Sequence, residues 1–508
     1  MLQWIDNFLN RITMYRLTVY VLAALVAVAM LLGWLQIIAL NPLMILFSLT
    51  YITAVCLLTN AIFAKVFDAP ANAESFFITA LILVLIISPP AMPLDGAFLE
   101  LAGWASVWAV ASKFIVALRR KHLFNPAAFG VAVTALFLGA PASWWVATLP
   151  MMPFVLVGGL LLTRKIQRFD LVLSFFFVAL LAIVLPRLGL PNLLPDLRRA
   201  FVEVPLLFFA FVMLTEPLTT PPTRERRIIY SALTGLLFAP WVHFGSFYST
   251  PELALLAGNL FSYILSPKTK LLLTLRSKIL IAKDTYDFWF APDRALHFAP
   301  GQYLEWTLPN NKSDSRGNRR YFTISSSPAE DGIAMGVKFN ENGSSFKRRL
   351  LALNPGDTMA AGQLSGDFTI PGDPKTKLAF IAGGIGITPF RSMIRSAMDR
   401  QEPRSIVLFY ANRKQEEIAY KEVWDEAQKQ LQIKTVYTLT DASSVPEGWK
   451  GYTGHFSEDM IRRELPDFPE RRFYLSGPRS MITVCERLLK KMGVPGNHIK
   501  TDFFPGFA

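Results

Sequence analysis

The residue types best suited to chemistry lie in three short segments of the C-terminal half. The first segment, Arg320-Tyr-Phe-Thr-Ile-Ser-Ser326, falls in a predicted strand, so Arg320, Phe322 and Ile324 share one face. A guanidinium offers a planar pair of donors to phosphate, and an aromatic side chain can pack on a flat ring. On these residues alone, an ordinary polar strand is an equally good interpretation.

The other two segments place small residues at predicted helix starts. Asn342-Gly-Ser-Ser-Phe346 precedes a basic helix, where free backbone N–H groups suit a pyrophosphate, although a simple serine cap explains the same residues. Ala382-Gly-Gly-Ile-Gly-Ile-Thr-Pro389 lies between a predicted strand, 378–381, and a predicted helix, 390–398, which is the setting of a phosphate-binding loop. A glycine-rich turn is a weak signal alone, so the order of the three segments matters more than any one of them.

Two predicted domains position these segments. Alternating strands between residues 270 and 306 indicate a small antiparallel β-barrel. Further on, strands alternate with helices as in a doubly wound parallel sheet, and Phe473-Tyr-Leu-Ser-Gly-Pro478 ends a strand at the carboxyl edge. We therefore expect a β-barrel domain over 270–372 and an α/β domain over 377–508.

The N-terminal half has the composition of a membrane domain. The first 266 residues hold 16 Lys+Arg and 11 Asp+Glu, whereas the rest of the chain holds 35 and 27. Apolar stretches long enough for a ~30 Å hydrocarbon layer recur through this half. We therefore expect an α-helical domain with ten membrane spans over 1–266. The predicted spans cover residues 17–40, 43–63, 76–93, 98–118, 124–139, 144–163, 171–186, 200–215, 228–243 and 251–266.

The basic residues predict how these spans are oriented. Ten spans put both ends on one side, and the loops on that side hold most of the lysines and arginines, including Arg119-Arg120-Lys121. The 187–199 loop, with three arginines, is the exception. The positive-inside rule then places the N-terminus and both C-terminal domains in the cytoplasm. We expect the membrane to be a bacterial-type inner membrane, with its lipid as one partner of the protein.

Residue counts argue against several chemistries. Cys56 and Cys485 are too few for an iron–sulfur cluster and form no zinc or dithiol motif. The histidines show no metal-binding spacing, and His122 and His243 are predicted on opposite sides of the membrane, which argues against a haem-containing ferric reductase or NADPH oxidase. We therefore expect no metal site. No nucleic-acid partner is expected either, because the net charge of +13 fits membrane flanks better than a basic nucleic-acid surface.

Together, the three C-terminal segments resemble the ferredoxin–NADP reductase family over about 270–508. The resemblance implies hydride transfer between a nicotinamide dinucleotide and FAD, with Thr323 and Ser476 as catalytic positions. Ser476 stands where family members often have cysteine, and Phe504 or Phe507 is implied as a cover for the flavin. FAD binding is implied for Arg320, Tyr321, Phe322, Thr323, Ser326, Gly343, Ser344 and Ser345. Dinucleotide binding is implied for Gly383, Gly384, Gly386, Thr388, Pro389, Gly477 and Pro478.

The choice between NADH and NADPH stays open. Arg413, with Lys414, follows a predicted strand where the adenosine ribose would lie, and the pair could bind a 2′-phosphate. Glu416 and Glu417 follow at once and would oppose that charge. This balance slightly favours NADH.

Four segments of the N-terminal half form a second pattern: Lys121-His-Leu-Phe-Asn-Pro-Ala-Ala-Phe-Gly130, Leu214-Thr-Glu-Pro-Leu-Thr-Thr220, Tyr230-Ser-Ala-Leu-Thr-Gly235 and Pro251-Glu-Leu-Ala-Leu-Leu-Ala-Gly-Asn-Leu260. They are similar to the B subunit of sodium-pumping NADH:quinone reductases and the D subunit of Rnf complexes. This resemblance implies a ten-helix membrane flavoprotein. The family's Ser-Gly-Ala-Thr motif is missing around Thr148, which disfavours covalent FMN there, whereas non-covalent FMN or riboflavin stays open.

The sequence therefore predicts a multidomain, membrane-bound flavoprotein oxidoreductase. Electrons would pass from NAD(P)H through FAD to a flavin or quinone in the membrane domain, and onward to an extracytoplasmic acceptor or a separate redox protein. The alternative is a redox-driven sodium or proton transporter, or a subunit that anchors a larger electron-transport complex.

Overall fold

In a computed structural model, the chain divides into two compact units, Met1–Thr269 and Lys270–Ala508. The N-terminal unit is helical, and the C-terminal unit contains two six-stranded sheets. The structure describes residues 3–10, 12–67, 73–118, 121–188, 195, 205–245, 247–266, 270–308, 314, 317–340 and 343–502.

Local sequence explains where several helices of the N-terminal unit begin and end. Asn41 and Asn125 each cap a helix through the side-chain oxygen, and a proline follows each asparagine at the first helical position. Gly139 ends one of these helices with a φ of +65°, a conformation that favours glycine. The main helices of the described residues are α1 (Gln3–Asn10), α2 (Met14–Trp34), α3 (Pro42–Val66), α4 (Ala73–Ile86), α5 (Gly96–Ile115), α6 (Pro126–Leu138), α7 (Met152–Ile166), α8 (Phe169–Val184), α9 (Arg224–Leu237) and α10 (Pro251–Leu265).

The predicted count of ten membrane spans is not supported by these helices. Among the described residues, α2, α3 and α5 are long and apolar enough to cross a membrane. The apolar helix α10 has 15 residues and rises about 22 Å, which is less than a ~30 Å hydrocarbon layer. The predicted span 200–215 is described only from Pro205, and Phe209–Met213 within it form a π-helical segment.

The N-terminal unit is held together by close helix packing. Gly130 on α6 lies against α5, where an added Cβ would be 2.3 Å from the Ala105 carbonyl oxygen and 2.7 Å from the Ala109 Cβ. Farther along the chain, Phe209 packs against Phe175 and Phe238, with ring centres 5.2 and 4.8 Å away. Two short hairpins complete the unit: β1 (Ala117–Leu118) with β2 (Lys121–His122), and β3 (His243–Phe244) with β4 (Phe247–Tyr248).

The first sheet of the C-terminal unit is an antiparallel β-barrel with the strand order β8-β7-β10-β5-β6-β9. The Ser325 N–H, just beyond β8, donates to the Ala334 carbonyl on β9 over 2.9 Å and so links the two ends of the sheet. Trp306, Phe288 and Phe290 are fully buried in its core. The elements are β5 (Leu271–Ala282), β6 (Thr285–Pro292), β7 (Tyr303–Thr307), β8 (Arg319–Thr323), β9 (Ile333–Lys338), α11 (Ser345–Leu351) and β10 (Thr358–Ser365).

The second sheet is parallel, with the strand order β14-β13-β12-β11-β15-β16. Alternate residues of β11 enter two separate cores: Phe380 packs with α12 on one side, and Ile381 with α15 on the other. Helices therefore cover both faces of the sheet, as in doubly wound folds. The elements are β11 (Leu378–Gly383), α12 (Thr388–Asp399), β12 (Ile406–Asn412), α13 (Lys421–Leu431), β13 (Lys434–Leu439), β14 (Tyr452–Thr453), α14 (Glu458–Glu464), β15 (Arg472–Ser476), α15 (Arg479–Lys491) and β16 (Ile499–Thr501).

The α5–α6 contact predicts a matched pair of glycine variants. Gly130→Ala must push α6 away from α5, and overpacking of this kind costs about 1–3 kcal/mol. Gly96→Ala, at the start of α5, has open space around the new Cβ. Thermal unfolding in detergent, followed by tryptophan fluorescence, should show a lower midpoint for G130A and an unchanged midpoint for G96A. Equal midpoints for the two variants would show that the helices are not in this contact.

Candidate functional site

Strand β8 places a cation beside aromatic rings. Arg320 is buried, and its Nη1 donates to the carbonyls of Arg319 (2.6 Å) and Gly317 (3.3 Å). Its guanidinium lies 5.3 Å from the Phe346 ring centre, and the half-buried Phe322 ring lies 6.0 Å from the same ring. The alternation expected of a strand thus brings Arg320 and Phe322 together through Phe346.

The other predicted residues of this segment have protein partners. The Tyr321 hydroxyl donates to Glu305 Oε2 over 2.7 Å. Ser326 is fully buried, and its Oγ accepts the Ala334 N–H over 3.0 Å. Thr323, also buried, ends β8. The Tyr321 hydroxyl therefore donates its proton within the protein, and the buried Ser326 Oγ accepts a backbone N–H.

The predicted pyrophosphate turn, Gly343–Ser345, leads into α11, whose first residue is Ser345. Ser344 caps this helix by accepting the Lys347 N–H, as the simpler interpretation of these residues requires. The Ser345 N–H donates to Asp314 Oδ2 over 2.9 Å, and the Ser345 Oγ accepts the Asp314 N–H. A carboxylate thus lies where the sequence predicts phosphate, so a pyrophosphate bound at this N–H must displace Asp314.

Two turns meet at the carboxyl edge of the parallel sheet. Strand β11 ends at Gly383, a tight turn covers Gly384–Ile387, and α12 begins at Thr388-Pro389. An added Cβ at Gly386 would lie 2.5 Å from the Gly477 Cα, so this contact requires glycine. Gly384, with a φ of +53°, has open space around its Cβ position. The predicted dinucleotide loop is therefore packed on one side and open on the other.

Ser476 lies beside this loop and has an acidic partner. The register of β11 and β15 pairs Ala382 with Ser476, and the Ser476 hydroxyl donates to Asp502 Oδ2 over 2.9 Å. At Gly383 an added Cβ would be 3.0 Å from Pro478 Cδ, so the two turns also touch here. Asp502 was absent from the predicted site, although its position two residues before Phe504 was the available signal. Phe504 and Phe507 lie outside the described residues.

The acids near the predicted ribose site are already paired. Lys283 contacts Glu416 over 2.6 Å, and Lys338 contacts Glu417 over 2.9 Å. The Lys283 partner lowers the pKa of Glu416, which keeps it ionised within its pair. Arg413 follows β12 and is exposed. The charge opposition that slightly favoured NADH is therefore neutralised, and the structure supplies no preference between the two cofactors.

The chemistry of these groups fits FAD and a nicotinamide dinucleotide. Arg320 offers a buried cation to a phosphate, and Phe322 offers an aromatic surface to a flat ring. The contact between Gly386 and Gly477 brings the backbone of two turns together at the edge where such sheets bind ligands. Ser326 and Tyr321 fit this role less well than the sequence implied.

The N-terminal unit has its own candidate site, a largely apolar cleft that is partly open to solvent and has a cavity volume of about 90 Å³. Lys113 lines the cleft, and its Nζ donates to Thr79 Oγ1 (2.8 Å) and to the Ser75 carbonyl (3.0 Å). Glu216 also lines it and contacts His122 Nε2 over 3.2 Å. A mostly apolar cleft with a few polar groups in its lining is typical of a site for a small organic ligand.

Hydrogen bonds link the four segments that carry the second resemblance beside this cleft, and the contact between His122 and Glu216 links the first two. Asn125, which lines the cleft, donates its backbone N–H to Asn259 Oδ1 over 2.8 Å. The Asn259 Nδ2 then donates to the Tyr230 hydroxyl over 3.1 Å, and the Asn125 Nδ2 donates to the Met213 carbonyl over 3.5 Å. Residues far apart in sequence thus form one hydrogen-bonded group.

Thr148 lies apart from the cleft. Its Oγ1 is buried and has no hydrogen-bond partner among the described residues. Nearby, Trp144 takes a φ of +53°, and its Nε1 donates to Glu252 Oε2 over 3.3 Å.

Comparison with known proteins identifies the C-terminal module. The Oxidoreductase NAD-binding domain family matches residues 380–487. A glycine betaine monooxygenase reductase subunit of Pseudomonas aeruginosa is 26% identical over 221 residues, which are 42% of this chain and 60% of that protein. NADH-cytochrome b5 reductase 1 of Mortierella alpina is 28% identical over 235 residues, which are 45% of this chain and 77% of that protein. The cytochrome P450 reductase GcoB of Amycolatopsis aligns with a TM-score of 0.42 at 23% identity, over 47% of this chain and 70% of that one.

These similarities bear on the C-terminal unit. The chain spans 60% of the length of the Pseudomonas relative and 57% of a similar flavohemoprotein from Oceanobacillus iheyensis. The prediction of a ferredoxin–NADP reductase-type module that uses FAD and NAD(P)H is confirmed for this unit. The C-terminal unit is an NAD(P)H-dependent FAD oxidoreductase module.

The contact between the two glycine turns predicts that replacing Gly386 will impair NAD(P)H oxidation without loss of FAD. Gly386→Ala must separate the turns, and a misplacement of about 1 Å near the reacting groups can cost about 100-fold in rate. We expect NAD(P)H oxidation to fall at least tenfold while the FAD content is unchanged. Gly372→Ala, at the end of the predicted barrel domain, is the matched control because a new Cβ has open space there. Flavin absorbance and steady-state NAD(P)H oxidation measure both effects, and equal rates for G386A and G372A would exclude this loop from the site.

Proposed function

We propose that this protein is a membrane-bound oxidoreductase that passes electrons from NAD(P)H, through FAD in the C-terminal unit, to a planar acceptor in the N-terminal cleft. The acceptor is a flavin or a quinone, which share a flat ring with carbonyl oxygens. The observation that carries the proposal is a mostly apolar cleft lined by the polar residues Lys113, Asn125 and Glu216, in a chain that also holds a reductase module.

The C-terminal unit supplies the entry of electrons. When bound, FAD accepts two electrons as a hydride and can release them one at a time. Arg320 supplies positive charge for the FAD phosphates, and Phe322 supplies a surface for its ring. We assign Thr323 and Ser476 as the hydroxyls beside the reacting atoms. Asp502 orients the Ser476 hydroxyl by accepting its hydrogen bond.

The N-terminal cleft supplies charge and protons to the acceptor. Negative charge grows on a ring oxygen as a quinone or flavin is reduced, and a fixed cation stabilises it. The Nζ donors of Lys113 go to uncharged oxygens of Ser75 and Thr79, so these partners do not cancel its positive charge. The hydrogen-bonded pair of His122 and Glu216 is suited to deliver a proton.

The second resemblance supports a flavin in this cleft. The segments similar to the B subunit of sodium-pumping NADH:quinone reductases and the D subunit of Rnf complexes are joined there by Asn125, Asn259 and Tyr230. Because the Thr148 hydroxyl is buried, we propose that such a flavin, FMN or riboflavin, is bound without a covalent link.

The apolar helices support a multi-pass placement in a bacterial-type inner membrane. Besides α2, α3 and α5, the shorter helices expose large apolar side chains, including Phe137 at 78% and Phe177 at 66%. Exposed apolar surface of this kind is stable in lipid and costly in water. The basic loops favour a cytoplasmic C-terminal unit. A separate redox protein is a proposed further partner, since one relative is named as the reductase subunit of a monooxygenase.

Two single lysine variants test whether the cleft is the acceptor site. Lys113→Met removes the cation at the cleft, and Lys65→Met, at an exposed position on α3, is the matched control. In nanodiscs supplied with NAD(P)H and a soluble quinone, we expect K113M to reduce the quinone about tenfold more slowly, because a hydrogen bond to a charged group contributes about 1.5–3 kcal/mol. Reduction of FAD by NAD(P)H should stay unchanged, since the module is intact. Equal quinone rates in K113M and K65M would refute the cleft as the acceptor site.

Flavin analysis of the same samples distinguishes the two acceptors. A flavin in the cleft gives two acid-extractable flavins per chain in the wild type and one in K113M. A quinone gives one FAD per chain in both proteins, with the difference confined to the rate of quinone reduction.

A further inference from the structure

One buried carboxylate joins the β-barrel to the α/β domain within the C-terminal unit. Asp287 on β6 is 2% exposed, and its Oδ1 accepts two hydroxyl donors. Ser325, two residues beyond Thr323, donates over 3.0 Å, and Tyr420, at the start of α13, donates over 2.8 Å. The same oxygen atom thus contacts the segment that follows strand β8 and a residue of the α/β domain.

Arg391 on α12 reinforces this link. It is buried, its Nη1 donates to the Ser325 carbonyl over 3.0 Å, and its Nη2 donates to Glu330 Oε1 over 2.8 Å. Its guanidinium carbon lies 5.4 Å from the Trp289 ring centre and 5.7 Å from the Tyr420 ring centre. We refer to Asp287, Ser325, Glu330, Arg391 and Tyr420 as the Asp287 network.

The network adjoins the end of the dinucleotide loop, where α12 begins. Ser392, next to Arg391, donates its hydroxyl to the Ser326 carbonyl over 2.7 Å, only one helical turn beyond Thr388. At Gly336 on β9, an added Cβ would lie 2.5 Å from the Tyr420 hydroxyl and 2.8 Å from Thr388 Cγ2. Tyr420 and Thr388 therefore both approach the β-barrel at Gly336, which has no side chain.

The backbone of Tyr420 is constrained to make this contact. Its φ of +55° is uncommon for a residue other than glycine, asparagine or aspartate, and for a bulky residue it is an outlier. Burial raises the pKa of Asp287, whereas Arg391 and the hydroxyl donors of Tyr420 and Ser325 lower it. Such strain and buried charge persist where surrounding contacts fix the geometry, and they occur often at functional sites.

We propose that the Asp287 network sets the distance between the nicotinamide and the flavin, with Tyr420 and Arg391 as positioning residues for hydride transfer. The inference rests on the dinucleotide-to-FAD step of the proposed function and is independent of the acceptor in the N-terminal cleft. In that step a hydride, two electrons with one proton, leaves NAD(P)H and joins FAD, so that NAD(P)H is oxidised and FAD is reduced. The network touches neither ring; it holds the loop before α12 against the segment after β8.

The test removes one hydroxyl. Tyr420→Phe loses the hydrogen bond to Asp287, and Tyr452→Phe, which loses a tyrosine hydrogen bond to Glu464 elsewhere in the α/β domain, is the matched control. In anaerobic stopped-flow experiments with full-length protein, we expect Y420F to reduce its FAD about tenfold more slowly at saturating NAD(P)H. We also expect a larger primary deuterium isotope effect with 4-deuterated NAD(P)H. The apparent NAD(P)H affinity and the FAD content should stay within about twofold of the wild-type values, because the groups assigned to binding are unchanged.

A rate and an isotope effect in Y420F equal to those of Y452F and the wild type would overturn the inference. If Y420F does not retain FAD, Ser392→Ala decides the question, with the buried Ser396→Ala on the same helix as its control. A slower hydride step in S392A than in S396A supports the inference, and equal steps overturn it. A wild-type protein whose FAD is not reduced by either dinucleotide would instead refute the proposed function.

Discussion

The carboxylate of Asp287 is the contact on which the C-terminal unit depends. Its Oδ1 accepts hydrogen bonds from the hydroxyl of Ser325, which follows strand β8, and from the hydroxyl of Tyr420 in the α/β domain. A buried carboxylate that lost these donors would cost more than one ordinary hydrogen bond, so the two domains are coupled rather than merely adjacent. Hydride transfer is sensitive to the separation of its reactants, and this coupling is the means by which a barrel and a parallel sheet act as one site.

The N-terminal unit follows the same principle with different residues. Segments more than a hundred residues apart converge through Asn125, Asn259 and Tyr230 beside a cleft that Lys113 lines. Buried amides of this kind require partners, and satisfying them fixes the cleft. A cation held at such a cleft, together with a reductase module in the same chain, favours electron transfer to a ring with carbonyl oxygens over a purely anchoring role.

The sequence predicted several strands and helices of the C-terminal unit, but it did not predict the side-chain contacts between them. Strand β11, Leu378–Gly383, includes the predicted strand 378–381, because a short apolar run bounded by turns is a local signal. The ten-span count was not supported because helix length depends on packing and on breaks that hydropathy does not show. Asp287 and Tyr420 escaped prediction because they are 133 residues apart, and each resembles an ordinary core residue until the fold joins them. The pairing of Glu416 with Lys283 was equally invisible, and it removed the reason to favour NADH.

The most direct test of the account is a single anaerobic turnover of the full-length protein in nanodiscs, followed by flavin absorbance. After stoichiometric NAD(P)H is added, the account predicts that the FAD band bleaches and that a quinone, added next, restores it without dioxygen. The restoration should be about tenfold slower when Lys113 is replaced by Met, because the acceptor cleft then lacks its cation. FAD that stays oxidised, or that is reoxidised only by dioxygen, would contradict the claim that this chain carries electrons from NAD(P)H to an acceptor in its own N-terminal unit.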